Sequence, residues 1–534
     1  MRGFFKILFS RYSVCALLIL LDLTLMILLF EYAASFSVLM AAIARLFCIV
    51  VFVSLINRDT NPEFKLTWLA IAAVAPVFGT ILYVMFSQRY LTAGDKRFLR
   101  QLYTRIDSQR CAEEDDLSDQ CLKSLGEKGK RQAGYARAML KCDSLAAIYP
   151  EDVLKYYPSG EEMYADMLAA IDAAERYVFL EYFIVDEGRM WGGIYERLKR
   201  KVREGVDVRM LYDDIGSMQT LPANFDKKLR REGIKCYRFS RVTPVPNSSH
   251  NNRDHRKILA VDGKIAFTGG VNIADEYINC REKFGHWKDA GVAVFGRAAL
   301  GFTRLFLVAY DLTVREFSDY RALLSPDEDC CVAAAASGER GIEVGEKPYT
   351  DGGFVIPIGS GPAPLYRESA GKEAFMSMID LAAESLYITT PYLIIDYDLT
   401  EALRRAARRG VDVRIITPGV PDRPLIKLMT KSSYPRLLDA GVRIFEYTPG
   451  FMHAKCAVAD NKMAMVGSIN LDYRSLVHHF EDALLIFSSQ TIADISADFI
   501  KTLSVCEQMS CDGVKQTFKE KALRSLMRII APLL

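Results

Sequence analysis

His255-Arg-Lys257-Ile-Leu-Ala-Val-Asp262, followed by Gly269 and Asn272, is matched at the same offsets by His453-Ala-Lys455-Cys-Ala-Val-Ala-Asp460, followed by Gly467 and Asn470. The chain has only six histidines, and two of them head one five-point template. Such repetition marks two structural halves that share an interface. The likeness continues upstream, where Glu204-Gly-Val-Asp-Val-Arg209 is echoed by Arg409-Gly-Val-Asp-Val-Arg414, and Gly233-Ile234 by Gly441-Val442.

Each copy has the same coarse layout. Apolar, β-rich runs at 177–185, 206–212, 387–395 and 411–417 alternate with charged stretches of helical period such as 191–204 and 399–409. Alternation of this kind predicts an α/β sheet with mostly parallel strands in each half. Each histidine is then expected to start a hairpin strand, running from His255 to Val261 in the first copy, with Asp262-Gly263 and Asp460-Asn461 as the turns.

On a strand, residues i and i+2 share a face, so His255 would lie beside Lys257 and His453 beside Lys455. Two such pairs meeting across a pseudo-twofold interface would surround a small anion with two titratable rings and two positive charges. Phosphate is the natural candidate. A lone His-x-Lys is ordinarily a polar strand edge, and a lone Asp262 or Asp460 a turn-former. Duplication of the whole set is what turns the reading towards catalysis.

These paired motifs, with Gly-Gly-Val-Asn272 and Gly-Ser-Ile-Asn470 behind them, resemble the double signature of the phospholipase D superfamily from about Tyr149 onward. One departure is Gly270, where the second copy has Ser468. The resemblance implies two pseudo-symmetric α/β halves packed together and catalytic roles for His255, Lys257, Asp262, His453, Lys455 and Asp460. One imidazole would form a covalent phosphohistidine and the other protonate the departing alcohol, then deprotonate the incoming one. His255 is assigned as nucleophile and His453 as acid/base, although near symmetry leaves the reverse open. The lysines with Asn272 and Asn470 would stabilise phosphoryl charge. Asp289 and Glu481, each opening an apolar strand after its motif, are candidates to hold the histidine tautomers. No cofactor is called for, and no Cys-x-x-Cys or His-Glu-x-x-His spacing points to a metal.

The first ninety residues bear on which phosphodiester is used. Apolar runs at 14–30, 36–56 and 66–86, interrupted only by Asp22 and Arg45, predict a transmembrane module over 1–88, with Asp22 and Arg45 as a buried pair. A cleaved signal peptide is the alternative for the first run. Arg89, Lys96, Arg97, Arg100 and Arg105 place that flank, and with it the catalytic domain, in the cytoplasm. Three crossings would then put the basic Arg2, Lys6 and Arg11 outside, a parity conflict. Trp68, Pro76, Gly79 and Leu82-Tyr83 resemble the segment ahead of the catalytic domain in bacterial cardiolipin synthases. That likeness implies a multi-pass bacterial membrane enzyme that acts on phosphatidylglycerol in anionic lipid and joins two molecules with release of glycerol. Membrane phospholipase D or phosphatidylserine synthase chemistry, with water or serine as acceptor, is the alternative.

The remaining organisation is a juxtamembrane linker at 89–148, a first half at 149–335, a linker at 336–352 and a second half at 353–513. An amphipathic helix at 514–534, with Lys515, Lys519, Arg524 and Arg528 around an apolar face, suits anionic lipid or core packing. A net charge of +2 is too balanced to imply a nucleic-acid partner. Twelve cysteines without a regular framework fit reduced thiols facing the cytoplasm.

Overall fold

The computed structural model describes residues 24, 25, 28, 32, 38–58, 61–86, 93–108, 118–123, 130–150, 153–242, 251–325, 353–363, 365–366, 368–510 and 527. The expected span at 14–30, the Asp22–Arg45 pair, the 336–352 linker and the terminal helix at 514–534 lie wholly or largely outside them.

Each half is built on one mixed sheet. The first orders its strands Val153–Tyr157, Gly291–Phe295, Ile265–Gly269, Lys257–Val261, Tyr177–Tyr182, Asp207–Asp213 and Lys235–Phe239. In the second, Phe354–Ser360, Glu481–Phe487, Met463–Gly467, Cys456–Ala459, Ser385–Thr389, Asp412–Pro418 and Arg443–Tyr447 follow in the corresponding order. Tyr149–Pro150 and Cys506–Gln508 extend the second sheet at its two edges.

The expected mostly parallel sheets are corrected. Only Tyr177–Tyr182 with Asp207–Asp213 and Asp207–Asp213 with Lys235–Phe239 run parallel in the first half. The hairpin after each histidine feeds antiparallel strands into the other side of the sheet. Its turns use left-handed backbone at Asp262-Gly263 (φ 56° and 71°) and Asp460-Asn461 (φ 53° and 51°), as the turn residues foretold.

Strand periodicity distributes the core. Ile258 and Ala260 face a central core shared with the second sheet, while Leu259 and Val261 face an outer one beneath the helices Gly160–Asp172 and Arg189–Arg203. Helices Ala298–Val314 and Thr491–Leu503 contribute to the central core, so the two halves are welded by apolar burial. The expected boundary at 149 is also corrected. Tyr149–Pro150 pairs with the second half's Phe354 and Val355, and helix Lys130–Cys142 packs into the second half's outer core.

The expected span at 66–86 is not one helix. It falls on Pro62–Val74 and Pro76–Phe86, separated at Ala75 because Pro76 lacks the donor that would continue the ladder. The expected span at 36–56 is a helix over Val38–Ile56, whose 19 residues rise about 28 Å against a hydrocarbon core of about 30 Å. Among the described residues no helix is long and apolar enough to cross a membrane.

Candidate active site

Both template histidines line one cavity of about 510 Å³ between the halves. Neither sits inside its strand. His255 precedes Lys257–Val261 and His453 precedes Cys456–Ala459, and each is clamped to the opposite half by its backbone. His255 N donates to Phe480 O at 2.8 Å, and His453 N to Lys288 O at 2.7 Å. Those acceptors immediately precede the segments that carry Glu481 and Asp289.

The side-chain pairing is therefore crossed. His255 Nδ1 lies 2.9 and 3.0 Å from the Glu481 carboxylate oxygens, and His453 Nδ1 lies 2.6 Å from Asp289 Oδ2. Each acid serves the histidine of the other half. A carboxylate on Nδ1 fixes that nitrogen as the N–H and leaves the reactive lone pair on Nε2. The repeated glycines permit the approach, since a Cβ at Gly269 would land on Ala290 O and one at Gly467 on Asp482 O.

The two environments differ. Tyr277, Trp287 and Phe451 surround His453 with ring centroids 5.2 to 5.8 Å away. His255 meets Phe183 edge-on at 4.9 Å and His479 at 5.6 Å. Ser468 Oγ donates to Glu481 at 2.5 Å, whereas a side chain at Gly270 would collide with the Asp289 carboxylate. The departure at Gly270 thus has a steric reason. Gly270→Ala is expected to push Asp289 off His453 and lower turnover about 10–100-fold, read from steady-state rates.

Burial, then the neighbouring lysines, hold His255 well below the ordinary imidazole range. Burial and Lys455 bring His453 down to about 4 against the opposing pull of Asp289. Burial pushes Glu481 up to about 7, opposed first by Lys257. Burial also raises Asp289, but His453 and Lys455 overcome it and keep the carboxyl below its usual range. Lys257 falls to about 8 and Lys455 to about 7, again through burial. The lysines thus carry less positive charge than their number suggests, and an anion beside them would draw protons in.

Lys257 Nζ donates to its own histidine's carbonyl at 2.6 Å, and Lys455 Nζ bonds to the His453 carbonyl. Lys455 Nζ also lies 2.8 Å from His453 Nδ1, and Lys257 Nζ lies over the Phe183 ring. Lys455 in particular stores instability: between pH 7 and about 10.5 the unfolded chain holds its proton and the folded chain does not, so this contribution to stability grows as pH rises through that window. Lys455→Met is expected to raise the melting temperature near pH 7 and flatten its rise towards pH 10, while abolishing turnover; thermal melts across that range check it.

The aspartates of the template are elsewhere. Asp262 accepts backbone N–H bonds from Glu175, Arg176 and Tyr177 at 2.7 to 2.8 Å, and Asp460 does the same for Ala383, Glu384 and Ser385 at 2.8 Å. Expected among the catalytic residues, they are corrected to staples at the far ends of the hairpins, where turn geometry places them. Asn272 and Asn470 do line the cavity. Asn272 accepts from Ile184 N at 3.0 Å and donates to Tyr277 Oη at 2.8 Å, while Asn470 Oδ1 has no partner.

His479 stands outside the repeated template, two residues before Glu481. It lines the cavity, buried, with neither ring nitrogen hydrogen-bonded. Nothing local marked it, because its place depends on the second half folding over the first. Among the described residues, one group could hold a metal ion: His255, His479 and Glu481, whose ligand atoms lie within 4.8 Å of one another.

The profile described as "Cardiolipin synthase, PLD-like domain" matches residues 167–284 and 375–503, once in each half. A second, "Phospholipase_D-nuclease N-terminal", matches 46–88. A cardiolipin synthase of Alkalihalophilus pseudofirmus is 32% identical, covering 91% of this chain and 92% of its own length. The chain belongs to the phospholipase D-like cardiolipin synthase family. Another such synthase, of Halalkalibacterium halodurans, is also 32% identical, covering 94% of each chain. The crystal structure of a phosphatidylserine synthase from Haemophilus influenzae superposes with a TM-score of 0.54 at 14% identity, covering 75% of this chain and 98% of that one, a likeness of fold.

Proposed function

We propose that the enzyme transfers a phosphatidyl group from one phosphatidylglycerol to a hydroxyl of a second, forming cardiolipin and releasing glycerol. His255 Nε2 attacks phosphorus as the bond to the glycerol oxygen breaks, and His453 gives that oxygen its proton. The second phosphatidylglycerol then returns a proton to His453 as its oxygen displaces His255 from phosphorus. Atoms and charge balance, because the same proton carrier serves both displacements.

The crossed pairing of two imidazoles on one cavity is the observation that carries this reading. Its asymmetry supports the division of roles. Ionised Asp289 favours a protonated His453, as an acid requires, whereas Glu481, raised to about 7, gives an imidazolium at His255 weaker support and keeps that ring nucleophilic. A bound phosphodiester would supply the negative charge that draws the leaving-group proton onto His453. Lys257 and Lys455 hold the histidine carbonyls and bring positive charge close behind the phosphoryl oxygens. Asn470 Nδ2 and the second hydrogen of Asn272 Nδ2 are donors for the same oxygens.

The cavity lining includes Lys283, Arg423 and Arg474 with apolar Ile394, Ile426 and Met429, a combination that fits an anionic headgroup with acyl chains at the mouth. We read the chain as attached to the bacterial membrane with this mouth at headgroup level, where lipid hydroxyls are concentrated. The test is to supply the purified protein with phosphatidylglycerol vesicles and identify products by mass. Cardiolipin with glycerol is expected; phosphatidic acid as the main product would mean that water is the acceptor.

A further inference from the structure

The 66–86 segment folds back on itself. Gly79 sits so close to Ala72 that a Cβ there would lie 2.7 Å from the Ala72 Cα, and Trp68 meets Tyr83 with ring centroids 5.5 Å apart. In one continuous helix those rings would stand more than about 20 Å apart. The arms, of 13 and 11 residues, rise about 20 and 17 Å, too short to cross a core of about 30 Å.

Its depth can be read against the helix Val38–Ile56. Leu55 packs with Trp68 and Tyr83 at the base of the hairpin, while Cys48 Sγ reaches the Pro76 carbonyl at the turn, 3.5 Å away. Seven residues separate those levels, about 10 Å of helix. The turn thus lies level with the middle of Val38–Ile56.

Chemistry grades along the same axis. Arg58 and Lys65 cluster at the base, Arg58 over the Tyr83 ring and Lys65 Nζ on the Ile56 carbonyl, and no charge follows from Leu66 to Gln88. Thr67 and Thr80 bond to carbonyls of their own helices, which suits a place without water. Leu66 is 64% and Val74 89% exposed, alongside Ile43, Leu46, Val50 and Val53 of the neighbouring helix. An exposed apolar belt of this extent marks an interaction surface.

Both flanks return to the catalytic body. On one side Asn61 Nδ2 donates to Asp396 at 2.8 Å, Tyr397 N to Glu63 at 2.9 Å, and Phe64 packs on His478 at 5.2 Å. On the other, Asp95 pairs with Arg315, Phe98 stacks on Phe317 at 4.6 Å, and Tyr103 Oη donates to Leu365 O. A segment with both ends fixed to one water-facing body cannot end on opposite sides of a bilayer.

We propose that Leu66–Phe86 is a re-entrant hairpin that enters the leaflet facing the catalytic body, turns at Ala75-Pro76 and leaves on the same side. Lipid as its occupant rests on the phospholipid-transfer function above. Asp396 and Tyr397, which Asn61 and Glu63 contact, follow Ile394 of the cavity lining in sequence, His478, which Phe64 contacts, follows Arg474, and exposed Tyr397, Val420 and Leu425 continue the apolar rim. Insertion of the hairpin therefore presses the mouth onto the leaflet that supplies substrate. It also removes the parity conflict of the sequence reading, because the 66–86 run is then not one of the crossings.

The test uses the full-length chain with its cysteines replaced by serine and then Asn57→Cys, Lys96→Cys or Val74→Cys, reconstituted in sealed phosphatidylglycerol vesicles. Asn57→Cys and Lys96→Cys are expected to react with a membrane-impermeant maleimide from the same side, and Val74→Cys not to react until detergent is added. Labelling of the first two from opposite sides would overturn the proposal by showing a crossing. Labelling of Val74→Cys in intact vesicles, on the side where both flanks react, would overturn it by showing a hairpin outside the lipid. Cardiolipin assayed in the same vesicles keeps the two readings separable: expected labelling without transfer sinks the function and leaves the hairpin standing.

Discussion

A His453→Ala enzyme given a phosphodiester with a nitrophenol leaving group is expected to release one equivalent of nitrophenol in a burst and to keep the phosphoryl group on His255. Nitrophenoxide needs no proton to depart, so loss of the acid leaves the first displacement intact and blocks the second. His255→Ala should give no burst. With phosphatidylglycerol, whose alkoxide must be protonated, both variants should lose about 10⁴-fold in rate. Rapid-quench kinetics and mass analysis of the labelled chain decide the matter. A burst from His255→Ala instead would exchange the roles of the two rings.

The crossed carboxylates give the second large effect. Asp289 stands against His453, so Asp289→Asn is expected to slow transfer from phosphatidylglycerol about 10²–10⁴-fold while sparing the nitrophenol burst. Glu481 stands against His255, so Glu481→Gln should slow the burst itself. Glu481, raised to about 7 by burial, is protonated below that pH and ionised above it, and the burst rate should carry an inflection there that Glu481→Gln removes. Were each acid to serve the histidine of its own half, the two phenotypes would be exchanged.

Much of the site was legible because its signals are local. The template fixes which histidines, lysines and glycines recur, and the turn residues 262–263 and 460–461 carry the left-handed backbone their identities suggest. The same template misled at its aspartates: a residue that recurs because every hairpin needs it looks no different from one that recurs for chemistry. The sheets were misread in direction because an antiparallel strand following a hairpin has the same apolar composition as a parallel one. An uncharged run of 21 residues at 66–86 reads as a crossing until Pro76 and Gly79 are seen to fold it back.

The sequence by itself determined that there are two equivalent halves, that each offers one imidazole and one lysine, and that Asp289 and Glu481 are available as supports. Tertiary structure alone decided which acid meets which ring, since the partners are 226 and 164 residues apart and belong to opposite halves. Strand period and turn chemistry act over a few residues and are written in the chain, whereas the meeting of the halves is set by burial of the shared core between the sheets. That burial brings His479 to the cavity and leaves Asp262 and Asp460 outside it.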